Sequence, residues 1–219
     1  MLNVSIIISD SEHPIYSIVN EWCAAQTTIN ALLVNKVSEL SGGGDFLFLV
    51  SCSELVAKDT RDMYKYCLVL HASDLPKGRG WSPHIWDIIN GNNFITLSLL
   101  EAKDKVDSGN IWLKEKILLD GTELFDEINS KLFTAEVLLI EKALRDYKNI
   151  VPTPQNMNVT PSYYRKRTPE DGKINPLESI ASQLNLMRTS DSNRFPAFFD
   201  LNGQRYTIKL EKIGKVSEK

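Results

Sequence analysis

One histidine stands where an apolar run gives way to a loop rich in glycine, proline and serine. The run is residues 67–71, CLVLH, and the chain continues as ASDLPKGRGWSPHIWDIIN. Ligands of an open α/β sheet bind beyond the carboxyl ends of its strands, which is where His71 would lie. Because an imidazole titrates near neutral pH, this ring could accept a proton from a reacting group. The alternative is a ring whose nitrogen is satisfied by a backbone carbonyl.

A carboxylate follows in the next loop of the predicted sheet. Asp107 lies in KVDSGNI, a glycine-containing loop just after the next predicted strand, about one sheet position from His71. A carboxylate beside a histidine favours the charged imidazolium, so the two side chains could act as an acid–base pair. An aspartate before Ser-Gly is also a common turn residue, and spacing alone does not separate the two interpretations.

The remaining histidines, cysteines and glycines indicate no second site. No His, Cys or Asp pair has metal-ligand spacing, so no metal is predicted; His84 is expected to be a partly exposed surface residue and His13 a loop residue. The three cysteines lie in apolar runs without a C-x-x-C, as inert core thiols of a reduced, cytoplasmic protein would. SGGG at residues 41–44 precedes a strand, and no phosphate-binding loop follows the first strand.

Composition favours a packed protein with small-molecule partners. The chain has 219 residues, 42% of them hydrophobic, with a formal net charge of −3, which argues against a large nucleic-acid surface. No apolar run reaches the roughly 18–20 residues that a membrane helix needs. The N-terminus lacks the features of a signal peptide. We therefore expect neither a nucleic-acid nor a membrane partner.

Strand-like and helix-like segments alternate up to about residue 148. This order predicts an α/β fold with an open, mostly parallel twisted sheet and helices on both faces. Buried strands are expected at residues 3–9, 45–52 and 67–71, and helices at 58–66, 82–90 and 122–147. The proline-rich stretch 151–161 breaks the pattern, and a helix and a hairpin turning at Asn202-Gly203 follow it. We predict a catalytic domain at 1–150 and a C-terminal linker, helix and β-hairpin subdomain at 151–219.

Together these motifs resemble the 10-formyltetrahydrofolate-dependent formyltransferase family, whose fold is Rossmann-like. The family pattern is H-x-S-x-L-P, then Gly and Pro in the following loop, then D-x-G; here it falls on His71, Ser73, Leu75, Pro76, Gly80, Pro83, Asp107 and Gly109. The stretches RKRTPEDG and RFPAFF are similar to the C-terminal segment of short sugar N-formyltransferases. The loop GRGWSPHIW is most similar to enzymes associated with pseudaminic-acid-type surface sugars.

The resemblance implies transfer of a formyl group from 10-formyltetrahydrofolate to the amine of a free or nucleotide-linked amino sugar, for surface polysaccharide synthesis. His71 would be the base and Asp107 its carboxylate partner. The implied pterin contacts are Ser51, Cys52, Leu70, Trp81, Ala102, Asp104 and Val106. The implied substrate contacts are Ser73, Lys77, Arg79, Gly80, Arg165, Arg167 and Arg188, since arginine binds carboxylates and phosphates through two hydrogen bonds. The C-terminal hairpin could pair across a homodimer.

One departure from the family pattern keeps alternatives open. The family places Asn two residues before the histidine, where its amide helps to hold the developing oxyanion; this chain has Val69. Asn92 or Asn93 could replace that donor, or the chain could be a non-catalytic folate- or sugar-binding homologue. A glycinamide ribonucleotide formyltransferase is disfavoured by the missing phosphate loop. A methionyl-tRNA formyltransferase is disfavoured because its basic C-terminal domain has no counterpart.

Overall fold

The computed structural model describes residues 1–215, which fold as a central sheet with a smaller C-terminal hairpin. The strands of this part of the chain are β1 (Leu2–Ile7), β2 (Ile29–Val34), β3 (Gly44–Leu49), β4 (Tyr64–His71), β5 (Arg79–Gly80), β6 (Phe94–Glu101), β7 (Ile111–Leu118), β8 (Tyr163–Tyr164), β9 (Ala197–Leu201) and β10 (Gln204–Ile208). Its α-helices are α1 (Ile15–Ala24), α2 (Lys58–Asp62), α3 (Pro83–Ile89), α4 (Phe125–Asp146) and α5 (Ile180–Arg188).

The main sheet has six strands in the order β2-β1-β3-β4-β6-β7. The first four are parallel, while β6 is antiparallel to both β4 and β7. Consecutive residues of β1 enter different cores: Ile6 packs in the larger cluster with residues of α1, α3 and α4, and Ile7 packs in a smaller cluster on the other face. Burial on both faces explains the continuous apolar runs in the sequence. The predicted open, mostly parallel α/β sheet is confirmed.

The boundary between α2 and β4 differs from the sequence prediction. The predicted helix at 58–66 ends at Asp62, and β4 begins at Tyr64 rather than at Cys67. Tyr64 is 6% exposed and its hydroxyl donates a hydrogen bond to Ser5 Oγ on β1 at 3.0 Å, so packing against the sheet overrides the polar local pattern. Ser82 precedes α3 as expected, but it adopts φ 44° and its side chain makes no capping hydrogen bond.

The C-terminal part docks on the sheet domain through a buried ion pair. Arg188 on α5 is 3% exposed, and its Nη1 donates to Glu123 O at 3.0 Å and lies 3.9 Å from Glu123 Oε2. The predicted hairpin is present as β9 and β10, with Asn202 and Gly203 at φ 51° and 75°. The division at residue 150 stays a prediction. No helix among residues 1–215 has the length and apolar character that a membrane crossing requires.

Glu136 makes the stability of the fold depend on pH. This residue of α4 is 6% exposed, and its Oε2 has no hydrogen-bond partner among the described residues. Burial raises the pKa of its carboxyl to about 8. Between the ordinary glutamate pKa and about 8, the folded chain keeps a proton that the unfolded chain releases, so stability falls as pH rises through this window.

We therefore expect Glu136→Gln to flatten the pH dependence of the free energy of unfolding. Between pH 5 and pH 8 the wild type should lose roughly 1–4 kcal/mol more than the variant, because an amide carries no titrating proton. Urea unfolding at both pH values measures this difference. Glu141→Gln, at an exposed glutamate of the same helix, is the matched control and should keep the wild-type slope. An unchanged slope in Glu136→Gln would contradict the assignment.

Candidate active site

His71 is the last residue of β4 and lies 7% exposed at the carboxyl edge of the sheet. Its Nε2 is 2.8 Å from Gly78 O. Because a carbonyl only accepts hydrogen bonds, Nε2 carries the proton and donates it, which leaves Nδ1 with the lone pair of the neutral ring. Nδ1 lies 3.7 Å from Asp107 Oδ1. That distance is too long for a hydrogen bond but short enough for strong attraction once the ring is charged.

Asp107 is held in place from several directions. It adopts φ 53°, a left-handed conformation that aspartate tolerates better than most residues. Its Oδ2 accepts a hydrogen bond from Gly80 N at 2.9 Å, and its side chain is 7% exposed. One carboxylate oxygen therefore binds the loop after β4, and the other faces the His71 ring.

The loop between β4 and α3 is fixed by the segment that precedes the C-terminal helix. Arg79 N donates to Ser162 O at 2.9 Å and Trp81 N to Tyr164 O at 3.1 Å, which pairs β5 with β8. Gly80 must be glycine: it has φ 95°, and a Cβ there would lie 2.4 Å from Tyr164 O. The backbone atoms that contact His71 and Asp107 therefore depend on residues far along the chain.

Val69 stands at the position of the family asparagine, and its partners on the adjacent strands are apolar. Val69 pairs with Leu49 and Leu100 on the adjacent strands and packs against Leu75. Ser98 is opposite His71, so Phe94 lies four residues further along β6, roughly 13 Å away at about 3.3 Å per residue. Asn92 and Asn93 precede Phe94 and are exposed. The structure does not bring them to the ring, so their assignment as oxyanion donors is withdrawn.

The residues expected to contact the pterin fall into two groups. The residues of the first group are exposed or half-buried; they are Ser51, Cys52, Trp81, Ala102, Asp104 and Val106. Trp81 is 41% exposed, and burial raises the pKa of the Cys52 thiol. Leu70 differs, because its side chain is 7% exposed and packs in the larger core, on the face opposite Val69 and His71. Only the backbone of Leu70 could contact a ligand.

The arginines expected to bind substrate differ in whether their guanidinium groups are already bonded within the protein. Arg165 forms an ion pair with Asp171, and Arg188 is buried against Glu123, so neither guanidinium is free. Arg79 is 5% exposed and bonded within the protein. Arg188 and Arg79 are therefore corrected from substrate contacts to internal residues.

Arg167 is the remaining candidate among these arginines. It is half-buried, it has a single 3.3 Å hydrogen bond from Nη2 to Asp171 O, and its buried Nε has no partner among residues 1–215. Ser73 also has an unpartnered buried hydroxyl, whereas Lys77 is exposed. A half-buried guanidinium with unused donors is suited to an anionic ligand.

His84 is partly exposed, as expected, but one of its ring nitrogens is buried. Its Nδ1 has no hydrogen-bond partner in the part of the chain that the structure describes, and burial, followed by the charges of His71 and His13, lowers its pKa to about 3. The ring therefore stays neutral over the physiological range. The helix pattern correctly placed His84 in the first turn of α3, but it carried no information on what packs against that turn.

Sequence reasoning missed Gln155. It lies in the stretch expected to be a surface linker, yet its Nε2 donates to Asp107 O at 2.8 Å and to Gly109 O at 3.0 Å. Its sequence neighbourhood, VPTPQNMNVTP, gives no signal of this contact across 48 residues.

The geometry supports acid–base chemistry by the His71 side chain. In the described part of the chain, no three His, Cys, Asp or Glu side chains are placed to hold a metal ion. The lone pair on His71 Nδ1 can take a proton, and the Asp107 carboxylate then stabilises the charged ring. Gly78 O holds the ring orientation from the other side.

The formyl transferase family profile matches residues 9–144. Methionyl-tRNA formyltransferase of Rickettsia prowazekii is 31% identical over 170 residues, which cover 77% of this chain and 53% of that protein. The chain thus spans about half the length of the curated relatives it matches.

Solved structures share the fold at lower sequence identity. Methionyl-tRNA formyltransferase from Clostridium thermocellum has a TM-score of 0.77 at 22% identity, covering 98% of this chain and 96% of that one. A sugar N-formyltransferase from a Shewanella species has a TM-score of 0.71 at 15% identity, covering 98% and 100%. HypX from Aquifex aeolicus with bound tetrahydrofolic acid has a TM-score of 0.70 at 16% identity, covering 93% and 36%.

Proposed function

We propose that this chain, which belongs to the formyl transferase family, transfers a formyl group from 10-formyltetrahydrofolate to the primary amine of an amino sugar. The observation that carries the proposal is the pairing of His71 Nδ1 with Asp107 Oδ1 at 3.7 Å, at the edge of the sheet where ligands bind. The folate donor is supported by the family resemblance and by the tetrahydrofolic acid bound to HypX.

His71 would act as the base that frees the amine nucleophile. As the neutral amine attacks the formyl carbon, a C–N bond forms and the carbonyl oxygen becomes an oxyanion. His71 Nδ1 takes the proton that the amine nitrogen loses, and the resulting imidazolium is stabilised by Asp107. When the bond to N10 of the folate breaks, that nitrogen regains a proton from His71. The products are the formylated amine and tetrahydrofolate.

Val69 makes a slow enzyme the expected outcome. Loss of one oxyanion donor costs about 2.7–4 kcal/mol in a known system, and the structure offers no amide at this position. In this proposal the His71 imidazolium supplies the main stabilisation of the oxyanion. The same residue supports the alternative of a non-catalytic folate- or sugar-binding protein, which would bind both ligands without turnover.

Arg167 indicates that the amine substrate carries an anionic group. We expect Arg167→Ala to raise KM for an anionic amino sugar about 10–100-fold with kcat nearly unchanged, because it removes binding made equally in the ground and transition states. Steady-state kinetics with an anionic and a neutral amino sugar measure this; the neutral sugar should show no change. Arg165→Ala, whose guanidinium is already paired with Asp171, is the matched control. Equal effects on both sugars would contradict the assignment.

The second candidate substrate is methionyl-tRNA. It is favoured by the R. prowazekii relative at 31% identity, whereas the net charge of −3 favours a small substrate. The finer proposals, a pseudaminic-acid-type surface sugar and a homodimer, rest on the resemblance alone.

A turnover assay with 10-formyltetrahydrofolate tests the proposal. The acceptors are free amino sugars, nucleotide-linked amino sugars and methionyl-tRNA, and tetrahydrofolate release is measured for each. Release with an amino sugar supports the main proposal. Release only with methionyl-tRNA supports the second candidate. Binding of folate and sugar without release with any acceptor supports the non-catalytic alternative.

A further inference from the structure

We infer that Gln155, anchored by Arg79, is a positioning residue that fixes Asp107 opposite His71. The inference rests on the proposed function, because it concerns the geometry of the acid–base pair. Gln155 lies outside the loops that carry the family motif, and it acts through backbone atoms of the Asp107 loop.

The amide of Gln155 links two parts of the site. Its Oε1 accepts a hydrogen bond from Arg79 Nη2 at 2.6 Å, and its Nε2 donates to Asp107 O at 2.8 Å and Gly109 O at 3.0 Å. A guanidinium only donates and a carbonyl only accepts. The amide oxygen must therefore face Arg79, and the nitrogen must face the two carbonyls.

This amide nitrogen holds the turn that carries the carboxylate. The carbonyls of Asp107 and Gly109, on either side of Ser108, both point at the same donor. Gly109 is pressed against β6, since a Cβ there would lie 1.9 Å from Glu101 O. Without Gln155, the carbonyls of Asp107 and Gly109 would lose this donor, and the left-handed backbone at Asp107 would lose its restraint.

Arg79 anchors Gln155 because it has few other partners. It is 5% exposed, its Nη1 donates to Tyr163 OH at 3.2 Å, and its buried Nε has no partner within the described part of the chain. No carboxylate lies within 4.0 Å of this guanidinium in residues 1–215. A buried cation without a counter-ion binds a strong neutral acceptor tightly, and Gln155 Oε1 supplies it.

Hydrogen bonds connect Asp107 to the loop after β4 in two ways. Gly80 N donates to Asp107 Oδ2. The preceding residue, Arg79, donates to Gln155, and Gln155 in turn donates to Asp107 O. Both the side chain and the backbone of Asp107 are thus fixed relative to the loop that also places Gly78 O on His71. A change at Gln155 should move the carboxylate without touching any reacting atom.

Two substitutions at Gln155 test these contacts. Gln155→Glu keeps the acceptor for Arg79 but loses the donor to the two carbonyls, and Gln155→Met loses both. We expect kcat to fall about 10–100-fold in each, because a displacement of about 1 Å can cost this much. KM for folate and amine should change less than about threefold.

Gln183→Met is the matched control. Gln183 makes the same kind of contacts on α5: its Oε1 accepts from Asn175 N at 2.6 Å, and its Nε2 donates to Asn175 O at 2.9 Å and Ser179 O at 3.4 Å. Its loss should leave kcat unchanged. Lower thermal stability in the Gln155 variants with wild-type kcat would overturn the inference.

A spectroscopic measurement keeps this test separate from the proposed function. The ¹⁵N signals of the His71 ring should shift in Gln155→Met toward their positions in Asp107→Asn, with or without turnover. If the wild type does not turn over any amine but these signals shift, the proposed function fails and the positioning role stands. If the wild type turns over and the signals do not move, the positioning role fails alone.

Discussion

His71→Asn lowers kcat by about 10²–10⁴-fold and leaves the fold and folate binding intact. The range is that of a positioned general base, and the substitution replaces the basic Nδ1, which lies 3.7 Å from Asp107 Oδ1, with an amide that cannot take a proton. Asparagine is small enough for this buried place and cannot act as a base, although its amide ends short of Gly78 O, which now accepts from Nε2. Steady-state rates of tetrahydrofolate release measure the loss.

Folate affinity and the unfolding temperature serve as controls for this variant. Both should stay close to the wild-type values, because His71 contributes its chemistry rather than its packing. A variant that binds folate normally and keeps a near wild-type rate would remove His71 from the mechanism. The proposal for the base would then fail even if the chain formylates an amine.

Asp107→Asn is expected to lower kcat by about 10²–10⁴-fold. The new amide oxygen can still accept from Gly80 N, so the loop keeps its shape while the negative charge is lost. In a serine protease, the equivalent change beside a catalytic histidine costs about 10⁴-fold.

Asp74→Asn is the matched control for this charge. Asp74 lies three residues after His71, but it is exposed and pairs with Lys114 at 2.5 Å. An exposed ion pair contributes little to stability, so the kcat of Asp74→Asn should stay within about twofold of the wild-type value. Equal losses in the two variants would indicate a general electrostatic effect, and the specific partnership of Asp107 with His71 would be rejected.

The sequence predicted those parts of the fold that depend on local pattern. Consecutive apolar residues in β1 and β3 indicated strands buried on both faces, and Asn202-Gly203 indicated the hairpin, because each signal is contained in a few neighbouring residues. The beginning of β4 was wrong by three residues, since Tyr64 is held by Ser5, 59 residues away.

At the candidate site, too, the sequence predicted local motifs but not the contacts between distant residues. The motif indicated His71 and Asp107 as partners, and the structure places Nδ1 and Oδ1 3.7 Å apart; their catalytic roles stay a proposal. Arg188 was selected by its residue type, yet its guanidinium is used internally by Glu123. Gln155 could not be found from the sequence because a neutral amide in a proline-rich stretch has no distinctive pattern. Residue type reports which bonds a side chain can make, and only the fold decides its partner.

The central claim is that this chain moves a formyl group from folate to an amine. Mass spectrometry after incubation with 10-formyltetrahydrofolate carrying ¹³C in its formyl group, together with the amino-sugar panel, tests it most directly. The proposal predicts one labelled formyl group on the amine of an amino sugar, with an equal amount of tetrahydrofolate released. Label that remains on the folate with every amine offered would contradict it.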